Sequence, residues 1–229
     1  MPDRIVILSD THLGRSFGAA RSAAALRPLW ADASRLVLNG DVAELHHPGH
    51  ADRAEREVLE LFELCERDGV MLTILAGNHD PFISDLKHVH IGGDTIFVTH
   101  GDVLHPAISP WSPAAPRVKA AHERALVSIP PEDRDHLETQ LAVSRYASAH
   151  ECRELERQED RSTLLQAVLR PWSVIQVLHY WRRIPRIAAH FTKYHCPEAR
   201  FMIFGHTQNV RDFIRQQYIY FHVIPFHNR

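Results

Sequence analysis

The sequence predicts an α/β fold built on buried parallel strands whose ends carry the chemistry. Three observations predict it. Short apolar runs recur without polar interruption, as in Ile5-Val6-Ile7-Leu8 and Leu36-Val37-Leu38, the pattern of strands covered on both faces. Each run stops at a polar loop: Ser9-Asp10-Thr11-His12-Leu13-Gly14, then Asn39-Gly40-Asp41, then Gly77-Asn78-His79-Asp80 after Val70–Leu75. The clearest amphipathic helix of the chain, over Ala51–Asp68, lies between the second and third runs, so the first 80 residues alternate β, α, β, α, β.

Taken in order, the first strand is followed by an Ala-rich stretch, Ala19 to Ala33, helical by propensity and broken or kinked at Pro28. In the long helix Val58, Leu61, Leu64 and Cys65 recur at helical spacing, and Gly69 sits where a C-cap glycine belongs. After Pro81 a hairpin is predicted, with strands at His88–Ile91 and Thr95–Thr99 around Gly92-Gly93-Asp94. Residues 103–199 are Pro-rich at first and helical afterwards. Strand signals return at Phe201–Phe204, and Val210–Ile214 with Tyr218–Val223 reads as a closing hairpin. The organisation expected is a core of residues 1–102 and 200–229 carrying a helical insertion over 103–199.

Composition narrows the function classes. At 229 residues the chain can bury one full core plus an insertion, and 45% hydrophobic with 24% charged residues is the balance of a soluble globular protein. No apolar run reaches the roughly 18 residues that a membrane span needs. A formal charge of −2 provides no global attraction to nucleic acid, so no nucleic-acid partner is expected. Cys65, Cys152 and Cys196 are odd in number with no C-x-x-C spacing, which suggests reduced thiols in a cytoplasmic protein. The 18 His exceed what a core needs, and metal binding is one explanation.

Five strand ends present residues competent to ligate a divalent metal: Asp10 and His12, Asp41, Asn78 and His79, His100, and His206. In an open α/β sheet the carboxyl ends of strands are where ligands bind. Carboxylate and amide oxygens mixed with imidazoles, and no Cys, suit Mn²⁺, Fe²⁺, Zn²⁺ or Mg²⁺. An Asp on a central strand could bridge two ions, the usual machinery for in-line attack on phosphorus.

Asp10-x-His12, Gly40-Asp41, Gly77-Asn78-His79-Asp80, His100 and Gly205-His206 resemble, in order and in strand-end context, the motifs of the calcineurin-like metallophosphoesterases. The resemblance implies a two-sheet β-sandwich flanked by helices, with a dinuclear site at the strand ends. It also implies hydrolysis of a phosphoester or pyrophosphate bond by a metal-bridging hydroxide. Carried over by position, Asp10 and His12 hold the first metal, Asp41 bridges, Asn78, His100 and His206 hold the second, and His79 protonates the leaving oxygen. Two divalent ions are implied, Mn²⁺ first among Mn, Fe, Zn and Mg. Glu44 falls where the family often has Asp, and its expected task is to orient His79 and raise its pKa. Gln208 stands where many members have a second His, so the first site is expected to be the weaker and to prefer Mn²⁺ or Mg²⁺ over Zn²⁺. Asp-Arg-Gly and Asn-His-Glu segments like those of protein Ser/Thr phosphatases are missing, and the further DNA-binding domain usual in repair nucleases has no room.

The helical cap insertion is placed as in the UDP-2,3-diacylglucosamine pyrophosphatases. From Arg161 to Pro197 it holds no Asp or Glu, while Arg182, Arg183 and other cations mix with Trp, Tyr and aliphatics. Such a surface suits an anionic head group with an acyl chain, which makes Arg182 and Arg183 candidate substrate-binding residues and the inner membrane face a candidate peripheral location. The bland alternative is that the aliphatics pack the insertion onto the core. Pro171 and Pro185 are expected to cut the stretch into short helices, and Glu132 to Asp160 reads as a solvated helix or helical pair. The substrate expected is a phosphorylated small molecule or glycolipid. The rival functions are a soluble phosphomonoesterase or phosphodiesterase and a non-catalytic scaffold of the same fold.

Overall fold

The computed structural model describes residues 4–15, 20, 22–155, 171–206 and 222–225, with side chains left out at 151–155, 171–174 and 222–225. Its first sheet comprises β1 (Ile5–Leu8), β2 (Arg35–Asn39) and β3 (Met71–Leu75), all parallel with β2 central. The second comprises β4 (His88–Ile91), β5 (Ile96–Thr99), β6 (Phe201–Phe204) and β7 (His222–Pro225) in that order. Only the β5–β6 pair in it is parallel.

The period of two along each strand sorts the apolar residues into layers. Ile5, Ile7, Val37, Leu75, Val98 and Ile203 fill the space between the sheets. The alternate residues Val6, Leu8, Leu36, Leu38 and Ile74 face α1 (Ala23–Leu26) and α2 (Ala51–Asp68). On the far side Phe97, Met202 and Phe204 pack with Leu141 of α4 (Leu137–Leu155) and with Tyr180, Ile184 and Ala188 of α5 (Pro171–His195). The result is a four-layer helix, sheet, sheet, helix sandwich, as the family resemblance implied. Because α4 and α5 share a core with β5 and β6, the segment between Thr99 and Phe201 supplies the outer helical layer of the second sheet. α3 (Ala115–Val127) packs beside α4 through Val118 and Ala147.

Among the described residues the Ala-rich stretch gives the four-residue α1 and then, at the expected break, a 3-10 turn, Arg27–Leu29, because Pro28 fits the first turn of a helix and not its interior. Two expectations are corrected. α5 runs unbroken through Pro185. Tyr180, Ile184 and Ala188 bury a continuous i, i+4 stripe against the sheet, and that tertiary packing offsets the missing N–H at the exposed Pro185. α4 is not a solvated helix, since Leu141, Val143, Ser144, Ala147 and Ser148 are buried. Of the closing hairpin, Val210–Ile214 lies outside the described residues, and β7 begins one residue short of the expected end of its second strand. No helix of the described residues is long and apolar enough to cross a membrane.

α2 has the boundaries its periodicity predicts. Gly69 ends it at φ 67°, and its N–H reaches the carbonyls of Cys65 and Glu66. A Cβ at Gly69 would meet nothing within 4 Å, so a Gly69→Ala variant isolates the cost of left-handed backbone. Urea unfolding is expected to show a loss of about 1 kcal/mol with an unchanged slope.

Candidate metal centre

The parallel strands β1 and β2 deliver their polar loops side by side. Backbone pairing continues past the strand ends, from Asp10 N–H to the Gly40 carbonyl at 3.1 Å, His12 to Asp41 at 3.0 Å and Leu13 to Val42 at 2.8 Å. The loops therefore stay in register while their side chains turn toward the gap above the sheets. Asp10, His12, Asp41 and His206 all have positive φ, at 54°, 45°, 51° and 67°. That region is disfavoured for residues with a Cβ, and its concentration in four candidate ligands marks a backbone held for side-chain placement.

Two glycines let the loops approach. A Cβ at Gly77 would fall on the Asp41 carboxylate and backbone nitrogen, and one at Gly205 would fall on Ser9 and Asp10. Asp80, fully buried, clamps the second and third loops together. Its Oδ1 accepts from Gly77 N–H at 2.8 Å and Asp41 N–H at 3.1 Å, and its Oδ2 accepts from Val42 at 2.6 Å and Ala43 at 3.3 Å. Burial and the adjacent Asp41 charge push the Asp80 carboxyl up to about 6 against those donors.

Among the described residues three donor groups result: Asp10 with His12 and Asp41, Asp41 with His100 and His206, and His12 with Glu44 and His79. Asp41 belongs to the first two. Within each group the ligand atoms lie within 4.8 Å of one another. His100 Nδ1 donates to the Asn39 carbonyl at 2.9 Å, which directs Nε2 to Asn78 Oδ1 at 3.2 Å and Asp41 Oδ2 at 3.3 Å. Three candidate ligand atoms thus converge from three loops, where a divalent ion could take the place of the proton that His100 Nε2 shares with Asp41. His206 Nε2 donates to the Ile108 carbonyl at 3.1 Å, freeing Nδ1. His12 Nδ1 donates to Glu44 Oε1 at 2.8 Å, and its Nε2 lies 4.0 Å from Asp41 Oδ2. The donor set fits divalent ions, with each imidazole tautomer fixed by an outer partner.

The electrostatics agree. Burial disfavours charge on Asp41, but His100, His79 and His12 hold its carboxyl well below the usual carboxylate range. Burial opposes charge on His100 too, and Asp41, with Asp10 and Asp102 behind it, pushes the imidazole up to about 10. Burial and the neighbouring His100 instead lower His206. Glu44 is 4% exposed, and despite that burial its hydrogen bonds to His12 and His79 keep it ionised far into acid.

Glu44 Oε2 lies 3.4 Å from His79 Nδ1, but its shorter bond is to His12, a second partner that sequence reasoning missed. The loop that carries Glu44 also folds under both rings, which no linear spacing reports. Gln208 lies outside the described residues. Arg182 and Arg183 are exposed on α5, where Arg183 Nη1 lies 3.4 Å from His179 Nε2. Among the described residues no ion pair joins either of them to the donor groups. The face of α5 turned inward is Tyr180, which meets Trp111 at 5.4 Å between ring centroids, and Trp111 in turn meets His206 at 6.3 Å. Trp111 and Ile108 gave no sequence signal, being a lone aromatic and a lone aliphatic in a Pro-rich stretch. Arg15 was also missed, with Nη1 3.6 Å from Glu44 Oε1, although it directly follows the first polar loop. Of the other His, His46 packs edge-on to Phe82, His47 stacks on His50, and His105 packs against Tyr180.

A two-sheet sandwich with a shared carboxylate between two donor groups at one end of its sheets defines a metal-binding α/β protein. The family model for calcineurin-like phosphoesterases matches residues 3–208, and the chain belongs to that family. Membership implies metal-dependent phosphoester hydrolysis with two divalent ions. No curated protein matches the chain.

The contact at Gly77 yields a direct test. Gly77→Ala must displace Asp41, the residue common to both metal donor groups. Calorimetric titration with Mn²⁺ is expected to show both affinities reduced on the order of 10–100-fold.

Proposed function

We propose that this protein hydrolyses a phosphoester or phosphoanhydride bond with two divalent ions, one held by Asp10, His12 and Asp41 and the other by Asp41, Asn78, His100 and His206. The observation that carries the reading is Asp41, shared by two donor groups whose imidazole tautomers are fixed by carbonyl or carboxylate partners. When bound, the ions supply Lewis acidity toward phosphoryl oxygens and lower the pKa of the attacking water. Hard oxygen and nitrogen donors without thiolate favour Mn²⁺, with Fe²⁺, Zn²⁺ and Mg²⁺ also compatible. Gln208 is the candidate for a further oxygen donor to the first ion.

His79 is the proton donor in this reading. Its side chain is 20% exposed at the edge of the cluster, and Glu44 faces its Nδ1, so Nε2 can hand a proton to the departing oxygen while the carboxylate stabilises the imidazolium. Arg15 adds a cation beside Glu44 for an anionic substrate.

The substrate favoured is a glycolipid phosphoanhydride of the UDP-2,3-diacylglucosamine type, met at the cytoplasmic membrane face through the helical insertion acting as a cap. What supports it is the outer face of α5, where Ile175, Leu178 and Tyr194 are 54%, 52% and 61% exposed beside exposed Arg182, Arg183, Arg186 and Lys193. No acidic residue lies in that helix. A helix so composed suits an anionic, partly apolar surface.

Two measurements test the reading. Metal-stripped protein given back Mn²⁺ is expected to hydrolyse bis(p-nitrophenyl) phosphate or p-nitrophenyl phosphate. Asp41→Ala should abolish turnover, and His79→Ala should reduce it on the order of 10²–10⁴-fold with metal binding kept. Failure to bind any divalent metal overturns the proposal. For the lipid version, co-sedimentation with phosphatidylglycerol vesicles is expected for the wild type and not for the Arg182→Ala, Arg183→Ala double variant. Equal indifference of both to vesicles removes the lipid substrate and leaves a phosphatase or phosphodiesterase of small esters.

A further inference from the structure

Lys87 and Asp102 form an ion pair sealed inside the protein, with side chains 4% and 0% exposed and Nζ 2.6 Å from Oδ2. The same oxygen accepts from Ser144 Oγ at 2.7 Å and Ser148 Oγ at 3.4 Å, one turn apart on α4. Asp102 Oδ1 is buried with no hydrogen-bond partner among the described residues. Burying two charges costs about as much as their attraction returns, and apolar side chains of similar volume often hold a fold as well or better. Stability alone does not account for such a pair at this place.

Its position does. Lys87 immediately precedes β4, and its backbone carbonyl accepts from Thr99 Oγ1 at 2.8 Å while its ammonium reaches Asp102. One residue therefore grips the chain on both sides of His100. Between the two grips Gly101 takes φ 106°, and a Cβ there would lie 3.2 Å from the Phe204 ring. On the other strand Gly205 N–H donates to the His100 carbonyl at 2.9 Å. The backbone of His100 is thus fixed from the β4 side, from β6 and, through Ser144 and Ser148, from α4. Its ring is fixed separately by the Asn39 carbonyl.

We propose that Lys87, Asp102 and Ser144 are positioning residues that hold His100 in register with Asp41 and Asn78, so that the metal site containing His100 depends on the docking of α4. The inference rests on the dinuclear reading above. It separates from that reading because it concerns only one of the two ions and is read by affinity rather than by turnover.

The decisive variant replaces the ion pair by an apolar one, Lys87→Met with Asp102→Leu, and Ser144→Ala serves as the milder companion that removes one hydrogen bond. Mn²⁺ is titrated calorimetrically into each, with Asn78→Ala marking which of the two affinities belongs to the His100 site, and thermal unfolding is followed on the same samples. The wild type is expected to bind two ions. The apolar pair should unfold at or above the wild-type temperature and yet bind the marked ion about tenfold or more weakly, the other staying within about twofold. Ser144→Ala should weaken the same ion in the same direction. Two unchanged affinities in Ser144→Ala and in a folded apolar-pair variant overturn the inference and leave the dinuclear reading intact. A wild type that binds no Mn²⁺ overturns both.

Discussion

Asp41 is a buried carboxylate whose charge is balanced by imidazoles. It sits at the end of β2, the central strand of the first sheet, where its backbone is already in a disfavoured region. The surrounding residues are arranged for its sake. Asp80 holds its amide and the next two, Gly77 leaves room for its oxygens, and Gly40, where a Cβ would strike the His100 ring, lets the second sheet approach. His79 N–H donates to Asp41 Oδ1 at 2.8 Å, tying the third loop to the same atom. A site organised in this way pairs carboxylate with imidazole in low dielectric, and a divalent ion that took the place of the shared proton would add its binding free energy to the stability of the fold.

Much of the fold was legible because its signals are local. Buried parallel strands write themselves as unbroken apolar runs, and α2 as a periodic face ended by Gly69. The residues that meet at the site were legible for a related reason: an α/β sheet brings its strand ends together, so polar residues just after Leu8, Asn39, Leu75, Thr99 and Phe204 must be neighbours. What was not legible depends on distant packing. Pro185 looked like a helix breaker because propensity does not know that Tyr180, Ile184 and Ala188 have a sheet to lie on. Leu141 looked like part of a thin stripe until β5 and β6 covered it. Glu44 could be assigned one imidazole by analogy of position, but its bond to His12 follows from the fold of two adjacent loops. Gln208 lies beyond the described residues, and its role rests on the resemblance alone.

The helical segment between β5 and β6 has two faces with different physical tasks. Inward, Tyr180 and Trp111 lead to His206, so substitutions there act on the site through packing. Outward, cations and exposed aliphatics alternate with no acidic neighbour on the helix, and such a face acts through whatever it meets. The helix separates these tasks by its own periodicity, since residues four apart share a face and residues two apart point to nearly opposite sides.

Ile108 shows what the site asks of its surroundings. It is fully buried and β-branched, with φ at 55°, a combination with real steric cost. Its carbonyl is the group that receives the His206 ring. The two residues lie 98 positions apart in the chain, so the strained turn at Ile108 has its partner only where β6 delivers His206 to it. The donor group that contains His206 is therefore as much a product of long-range docking as of its own ligands.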